Sequence, residues 1–220
     1  MKLEKHRQLA EIGEKGLSNL EKKSVSIVGV GSVGSVVAEI LARTQLSLRI
    51  IDKGRVEEED LLSSSLYTPE EITRFKAKEA KKLLERIHPQ AKIKTFHEEL
   101  NDKNIFLIDA DIVIDCTNKI EAHELVNKRC KQAKLACLTV NYAGTAFLVL
   151  PSKGSYNVEK WEKHVEKLGK VEEKGLLAGL GHIAGGMVAS ETLLVLLGKA
   201  LPKKPYRYDV LHGTKKEFSL

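Results

Sequence analysis

Residues 25–52, VSIVGVGSVGSVVAEILARTQLSLRIID, constrain the fold of this chain more than any other stretch. Val25, Ile27 and Val28 make an apolar run with the length and β-branching of a buried strand, and it breaks directly into Gly29-Val30-Gly31-Ser32-Val33-Gly34. Gly29 can take the tight turn, Gly31 lets backbone approach a phosphate, and Gly34 lets the following helix (33–42) sit against the strand. The N-terminus of that helix offers free N–H groups and a positive dipole end to an anion. A second strand, Leu48 to Ile51, ends in Asp52, whose carboxylate can accept hydrogen bonds from ribose hydroxyls. Strand, glycines, helix, second strand and acid thus fall in the order of a nucleotide site. A dinucleotide cofactor and ATP are both compatible with it.

The rest of the chain alternates strand and helix. Thr68-Pro69-Glu70-Glu71 supplies a helix start, with Thr68 as N-cap and Glu71 closing a capping box, and that helix is expected to run to about His88, before Pro89. Lys92 to Phe96 alternates as a strand, Asp111 to Cys116 is a buried strand, Glu121 to Gln132 a helix, and Leu135 to Val140 and Thr145 to Leu150 further strands. The expected fold class is therefore α/β, a doubly wound, Rossmann-like and mostly parallel sheet with helices on both faces and a C-terminal antiparallel extension. The extension is YRYDVLHGTKKEFSL, read as short strands around His212-Gly213. One domain is expected over 1–220, with a helical segment at 1–23 interrupted near Gly13 and Gly16, and with a charged surface excursion at 152–174 that includes a short helix around Trp161. KGRVEEEDLLSSSLY after Asp52 reads as an acidic loop too polar for a core element. GLLAGLGHIAGGMVASETLLVLLGKA reads as a helix whose small residues Gly181, Ala184, Gly185 and Ala189 serve close packing in the core or a dimer interface.

Composition excludes several classes. The net charge is +6, but Lys and Arg are interleaved with Glu, as in KAKEAKKLLER over 76–86, which is the pattern of a solvated helix face and not of a nucleic-acid surface. No apolar stretch is long enough to span a membrane, and MKLEKHRQLAEIG has no apolar signal core, so the expected location is the cytoplasm. Cys116, Cys130 and Cys137 have no zinc spacing, and the histidines are scattered without ligand spacing, so no zinc or other resident metal is expected. Ser63-Ser64-Ser65 reads as a polar loop, and His182 as a capping or packing residue.

In an open parallel sheet, ligands sit beyond the carboxyl ends of the strands, so Asp115, Thr117 and Asn118 should face the same crevice as Gly29 and Asp52. Lys76, on the helix entered from the loop after Asp52, could turn its ammonium back to the phosphates.

Taken in order, GVGSVG, IIDKGRVEEEDLL, LYTPEEITRFKAKEAKKLLERIHPQAKI, DIVIDCTNKIEAHELVNKRC, GLLAGLGHIAGGMVASETLLVLLG and YDVLHG resemble the ubiquitin-activating-like superfamily, the ThiF/MoeB/HesA adenylyltransferases. The resemblance implies ATP as substrate with Mg²⁺, a homodimer, and attack by the C-terminal carboxylate of a small ubiquitin-like or sulfur-carrier protein on the α-phosphate. It implies phosphate-loop roles for Gly29, Gly31 and Gly34, a ribose role for Asp52, and phosphate contact by Lys76. Arg7 resembles an arginine offered to a neighbouring subunit's nucleotide. The chain departs from the pattern as well. Asp60-Leu61-Leu62-Ser63-Ser64 stands where the family has Asn-Leu-x-Arg-Gln, so Ser63 replaces a phosphate-binding arginine, for which Arg55 or Arg74 could substitute. Asn118 stands at the position of a magnesium-linked aspartate, with Asp115 retained just before it. The paired CxxC motifs and the crossover-loop cysteine are absent, so no thioester step is expected. Two readings follow: an adenylating enzyme, or a nucleotide-binding, catalytically impaired relative acting as a partner or regulatory subunit. A dinucleotide-dependent oxidoreductase lacks a second substrate domain here.

Overall fold

The computed structural model describes residues 4–10, 12–154 and 156–220. Its frame is a single eight-stranded sheet in the order β3-β2-β1-β4-β5-β6-β7-β8. The strands are β1 (Ser24–Val28), β2 (Ser47–Ile51), β3 (Lys92–Phe96), β4 (Ile112–Asp115), β5 (Ala136–Ala143), β6 (Ala146–Lys153), β7 (Tyr206–Asp209) and β8 (Thr214–Glu217). From β3 through β5 all neighbours are parallel, and from β5 to β8 all are antiparallel. The winding reverses between β1 and β4, so the ends of β1, β2 and β4 open onto a crevice at the switch point.

The helices are α1 (Glu4–Arg7), α2 (Gly13–Leu20), α3 (Ser32–Ala42), α4 (Asp60–Ser63), α5 (Lys76–Ile87), α6 (Ile120–Ala133), α7 (Val158–Leu168), α8 (Val171–Lys174) and α9 (Leu180–Leu196). Alternate residues of each parallel strand go to opposite faces. Ile27, Leu48, Ile50, Ile114 and Val140 meet α3, α5 and α9 on one face. Val28, Ile51, Val113 and Cys137 meet α6 on the other. α9 lies against α3 because its small residues leave no side chain between the backbones: a Cβ on Gly185 would stand 2.6 Å from Val36 Cβ, and one on Gly181 2.7 Å from Ser32 Oγ. The small-residue stripe is therefore core packing.

Four stretches differ from the sequence expectation. The Thr68 capping box forms, but it closes only a single 3₁₀ turn at Pro69–Glu71. The next residues pair instead with the loop after Asp52 (Thr73 N to Val56 O and Val56 N to Arg74 O, both 2.8 Å), Thr73 turns to φ +70°, and helix resumes only at Lys76. The acidic loop contributes to the core after all, burying Val56, Leu66, Tyr67, Asp60 and Ser63, the last two on the single turn of α4. Gly16 does not interrupt α2 but lies inside it, bare because a Cβ there would stand 3.0 Å from Leu197 Cδ2. Of Leu3, Leu9, Ile12, Leu17 and Leu20, the residues that could give the 1–23 segment an apolar stripe, Leu17 and Leu20 are buried and Leu9 is exposed, while Leu3 lies outside the described residues. Within 152–174, the charges stay outside, yet α7 buries Trp161 completely, and its Nε1 donates to Asn141 Oδ1 at 3.0 Å.

Candidate nucleotide site

The glycine turn after β1 is built so that each glycine is needed for a different steric reason. Gly29 adopts φ +83°, and a Cβ on it would stand 3.0 Å from the backbone of Cys116 and Thr117 at the end of β4. A Cβ on Gly34 would lie 2.0 Å from the Gly29 carbonyl oxygen, so α3 can start this close to the turn only without one. Gly31 is different. The space its Cβ would take is open, bounded by Asp60 Oδ1 at 3.9 Å and Lys76 Nζ at 4.0 Å. α3 begins at this point with no side-chain cap on its first N–H groups. A bare backbone, a helix N-terminus and an ammonium around one small void are what a phosphate requires.

Asp52 stitches this turn to the end of β2. Its Oδ2 accepts from Val30 N at 2.7 Å and its Oδ1 from Gly54 N at 2.6 Å. A carboxylate has further lone pairs, so it can still accept from ribose hydroxyls. Lys76 reaches back from the first position of α5, as its place in the sequence suggested, and forms an ion pair with Asp60 Oδ1 at 2.7 Å, where both side chains are largely buried. Asp60 Oδ2 accepts from Glu57 N at 2.8 Å, which holds the carboxylate in place. Tyr67 closes the arrangement from below by donating its hydroxyl to Val30 O at 2.9 Å, with the Lys76 carbonyl 3.2 Å away. Burial, with Asp52 and Asp60 nearby, drives the Tyr67 pKa far upward, so the hydroxyl remains a donor.

The residues at the end of β4 behave otherwise than expected. Asp115 is fully buried and does not line the crevice: Oδ1 accepts from Thr117 N at 3.1 Å and Thr117 Oγ1 at 2.8 Å, and Oδ2 lies 2.7 Å from His123 Nδ1 on α6. Burial alone would lower the His123 pKa, but the Asp115 charge and hydrogen bond outweigh it and raise the value. Asn118 sits in the left-handed region at φ +55°, with its amide directed onto β5. Its Oδ1 accepts from Asn141 Nδ2 at 3.0 Å and Tyr142 N at 3.1 Å, and its Nδ2 donates to Tyr142 O at 3.1 Å.

The arginines proposed as substitutes are engaged elsewhere. Arg55 donates to Thr73 O at 2.6 Å and stacks 4.0 Å from the Phe75 ring, and Arg74 lies 3.8 Å from Glu79. Arg7, on α1, is ion-paired with Glu14 at 2.6 Å within the same chain. No group of three or more His, Cys, Asp or Glu side chains is placed to hold a metal among the described residues. Sequence reasoning passed over Asp60, Tyr67 and His123. The signal for Asp60 was its position at the head of the DLLSS stretch, sixteen residues before Lys76.

Comparison with known proteins places the whole chain in a family. A model of the ThiF family matches residues 3–220. The adenylyltransferase and sulfurtransferase MOCS3 of Culex quinquefasciatus is 26% identical over 202 residues, which are 86% of this chain and 45% of that protein. The molybdopterin-synthase adenylyltransferase of Haemophilus influenzae is 25% identical over 190 residues, 83% of this chain and 78% of that protein. In fold, the chain is similar to E. coli MccB crystallised with ATP, with a TM-score of 0.78 at 17% identity, covering 92% of this chain and 65% of that one. The chain spans about half the length of several of the curated relatives that it matches.

Proposed function

Because this chain belongs to the ThiF family, we propose that it binds ATP over the Gly29–Gly34 turn and adenylates the C-terminal carboxylate of a small ubiquitin-like or sulfur-carrier protein. The observation that carries this reading is the open void at Gly31, faced by Lys76 Nζ and the N-terminus of α3, one strand away from the Asp52 carboxylate. In the proposed reaction a carboxylate oxygen of the carrier attacks the α-phosphorus, the bond from that phosphorus to the bridging oxygen breaks, and pyrophosphate leaves with the electron pair. The nucleophile is already ionised, so no side chain has to remove a proton, and the demand on the protein is charge neutralisation and alignment. Lys76 and the α3 N-terminus meet the phosphates, and Asp52 holds the ribose.

The test is ATP–pyrophosphate exchange with a small carrier protein ending in Gly-Gly. Exchange that depends on the carrier and is lost in Lys76→Met supports the reading, and ATP binding without exchange for any carrier supplied refutes it. That second outcome is the alternative: a nucleotide-binding, catalytically impaired relative acting as a partner or regulatory subunit. It is favoured by Ser63 at the arginine position and by the Asn118 amide being committed to β5.

The same reading includes Mg²⁺ bound with the nucleotide, a cytoplasmic location, a single domain and a homodimer. The homodimer is supported by exposed Leu62, Leu177, Ile183 and Leu194 on and beside α4 and α9. Arg7 would then act toward the neighbouring subunit's nucleotide. A monomeric mass by light scattering at micromolar concentration would remove both ideas.

A further inference from the structure

A free triphosphate entering the Gly31 void meets an ammonium whose charge is already answered. Lys76 Nζ lies 2.7 Å from Asp60 Oδ1, and both atoms bound the same void, at 4.0 and 3.9 Å from the place of a Gly31 Cβ. Asp52 adds a second carboxylate beside the glycine turn, hydrogen-bonded to Val30 N. Beside these two negative charges and one positive, the α3 N-terminus contributes a partial positive charge. The nearby arginines are bound to Thr73, Phe75 and Glu79. An anion of three or four charges is repelled by such a set, and a divalent cation carried on the phosphates removes two of those charges and supplies a positive partner for a carboxylate.

We propose that Asp60 makes nucleotide binding at this site conditional on a divalent cation, being the carboxylate that meets the cation carried in on the phosphates. This rests on the nucleotide reading above and names a residue which that reading left without a role. Asp60 is the group that fits. It borders the open void, and one oxygen is held by Glu57 N while the other faces Lys76. Asp115 is fully buried against Thr117 and His123, and Asn118 offers an amide already used by Tyr142 and Asn141. Mg²⁺ typically takes one or two protein carboxylates together with phosphate oxygens and water, which is the ligand supply present here. On binding, the phosphates take over Lys76, and the cation takes over Asp60.

The experiment is calorimetric titration of the full chain with ATP, in excess MgCl₂ and in EDTA, for the wild type, Asp60→Asn and Lys76→Met. For the wild type, Mg²⁺ should tighten ATP binding by about tenfold or more. Asp60→Asn keeps an acceptor for Glu57 N and removes the charge, so metal-free ATP should bind more tightly than to the wild type and the Mg²⁺ effect should fall below about threefold. Lys76→Met leaves the carboxylate without its partner, so metal-free binding should weaken and the Mg²⁺ effect should exceed that of the wild type. An Asp60→Asn protein that keeps the wild-type Mg²⁺ effect would overturn the proposal. If that variant does not fold, a Mg²⁺ effect abolished in Lys76→Met would overturn it equally. A wild type that binds no ATP in either buffer is a different failure, that of the nucleotide site itself.

Discussion

Restoring an aspartate at position 118 should harm the protein before it helps the chemistry. The Asn118 amide makes three hydrogen bonds to β5, and in one of them it is the donor, from Nδ2 to the Tyr142 carbonyl at 3.1 Å. Asn118→Asp replaces that N–H with a second carboxylate oxygen facing a carbonyl oxygen, so a bond is lost and two acceptors are left opposed. Loss of one such bond with a partner left unsatisfied costs about 1–3 kcal/mol. For a chain of this length that corresponds to a fall in Tm of roughly 2–12 °C. The pH dependence follows from the sign of the effect. The introduced carboxyl can donate to Tyr142 O only when protonated, so its native pKa is raised, and the deficit opens as pH rises through the ordinary aspartate value of about 3.9. Thermal melts of wild type and Asn118→Asp at pH 4 and pH 7 test this. Equal Tm values at pH 7, or a deficit that grows toward pH 4, would refute the role assigned to the amide.

Adjacent glycines on α9 should respond in opposite directions. Gly185→Ala pushes a methyl group to 2.6 Å from Val36 Cβ and should destabilise by about 1–3 kcal/mol in urea unfolding, whereas Gly186→Ala meets nothing within 4 Å and should gain up to about 1 kcal/mol from helix propensity. A neutral or stabilising Gly185→Ala would contradict the close α3–α9 contact. The buried Asp115–His123 pair should make stability fall with rising pH. The His123 pKa is raised in the native state, so the pair's contribution is complete below the ordinary histidine value, about 6.5, and is lost as pH rises through the native one. The stability deficit of His123→Gln should therefore shrink over that interval, and a deficit that stays flat or widens would mean that His123 is not charged in the folded protein.

What was legible in the sequence was what backbone geometry dictates. Only glycine takes Gly29's φ of +83° at no cost and only glycine fits Gly34's contact with the turn, so the residues announce the turn. Strand and helix alternation likewise announces the parallel half of the sheet, because both faces are covered and each strand reads as an apolar run. Side-chain pairs distant in the chain were not legible. Lys76 has its partner sixteen residues away in a loop that reads as polar, and Asn118 has its partners twenty-three and twenty-four residues away on β5. His123 looked like one of several scattered histidines, since nothing local signals that the first turn of α6 aims it back at the end of β4. The capping box at Thr68 misled in the other direction. Its local signal was correct, but the pairing of 73–76 with the loop after Asp52 stopped the helix it was expected to start.

These pairings change the meaning of the departures from the family pattern. Ser63 and Asn118 look in sequence like deletions from a site that is otherwise intact. In the fold each has been taken into the structure around it: Ser63 is 3% exposed at the end of α4, and Asn118 ties the end of β4 to β5. Between them, Asp60 has brought a carboxylate onto Lys76. An arginine at position 63 is far larger than the buried serine it would replace and would have to displace the packing around α4. The double substitution Ser63→Arg with Asn118→Asp is therefore not a local repair, and its two changes act on one coupled set of charges, where additivity fails. The adenylation proposed for this chain therefore has to operate with Lys76, Asp60 and Asp52 as found, with Lys76 and Asp60 paired across the glycine turn.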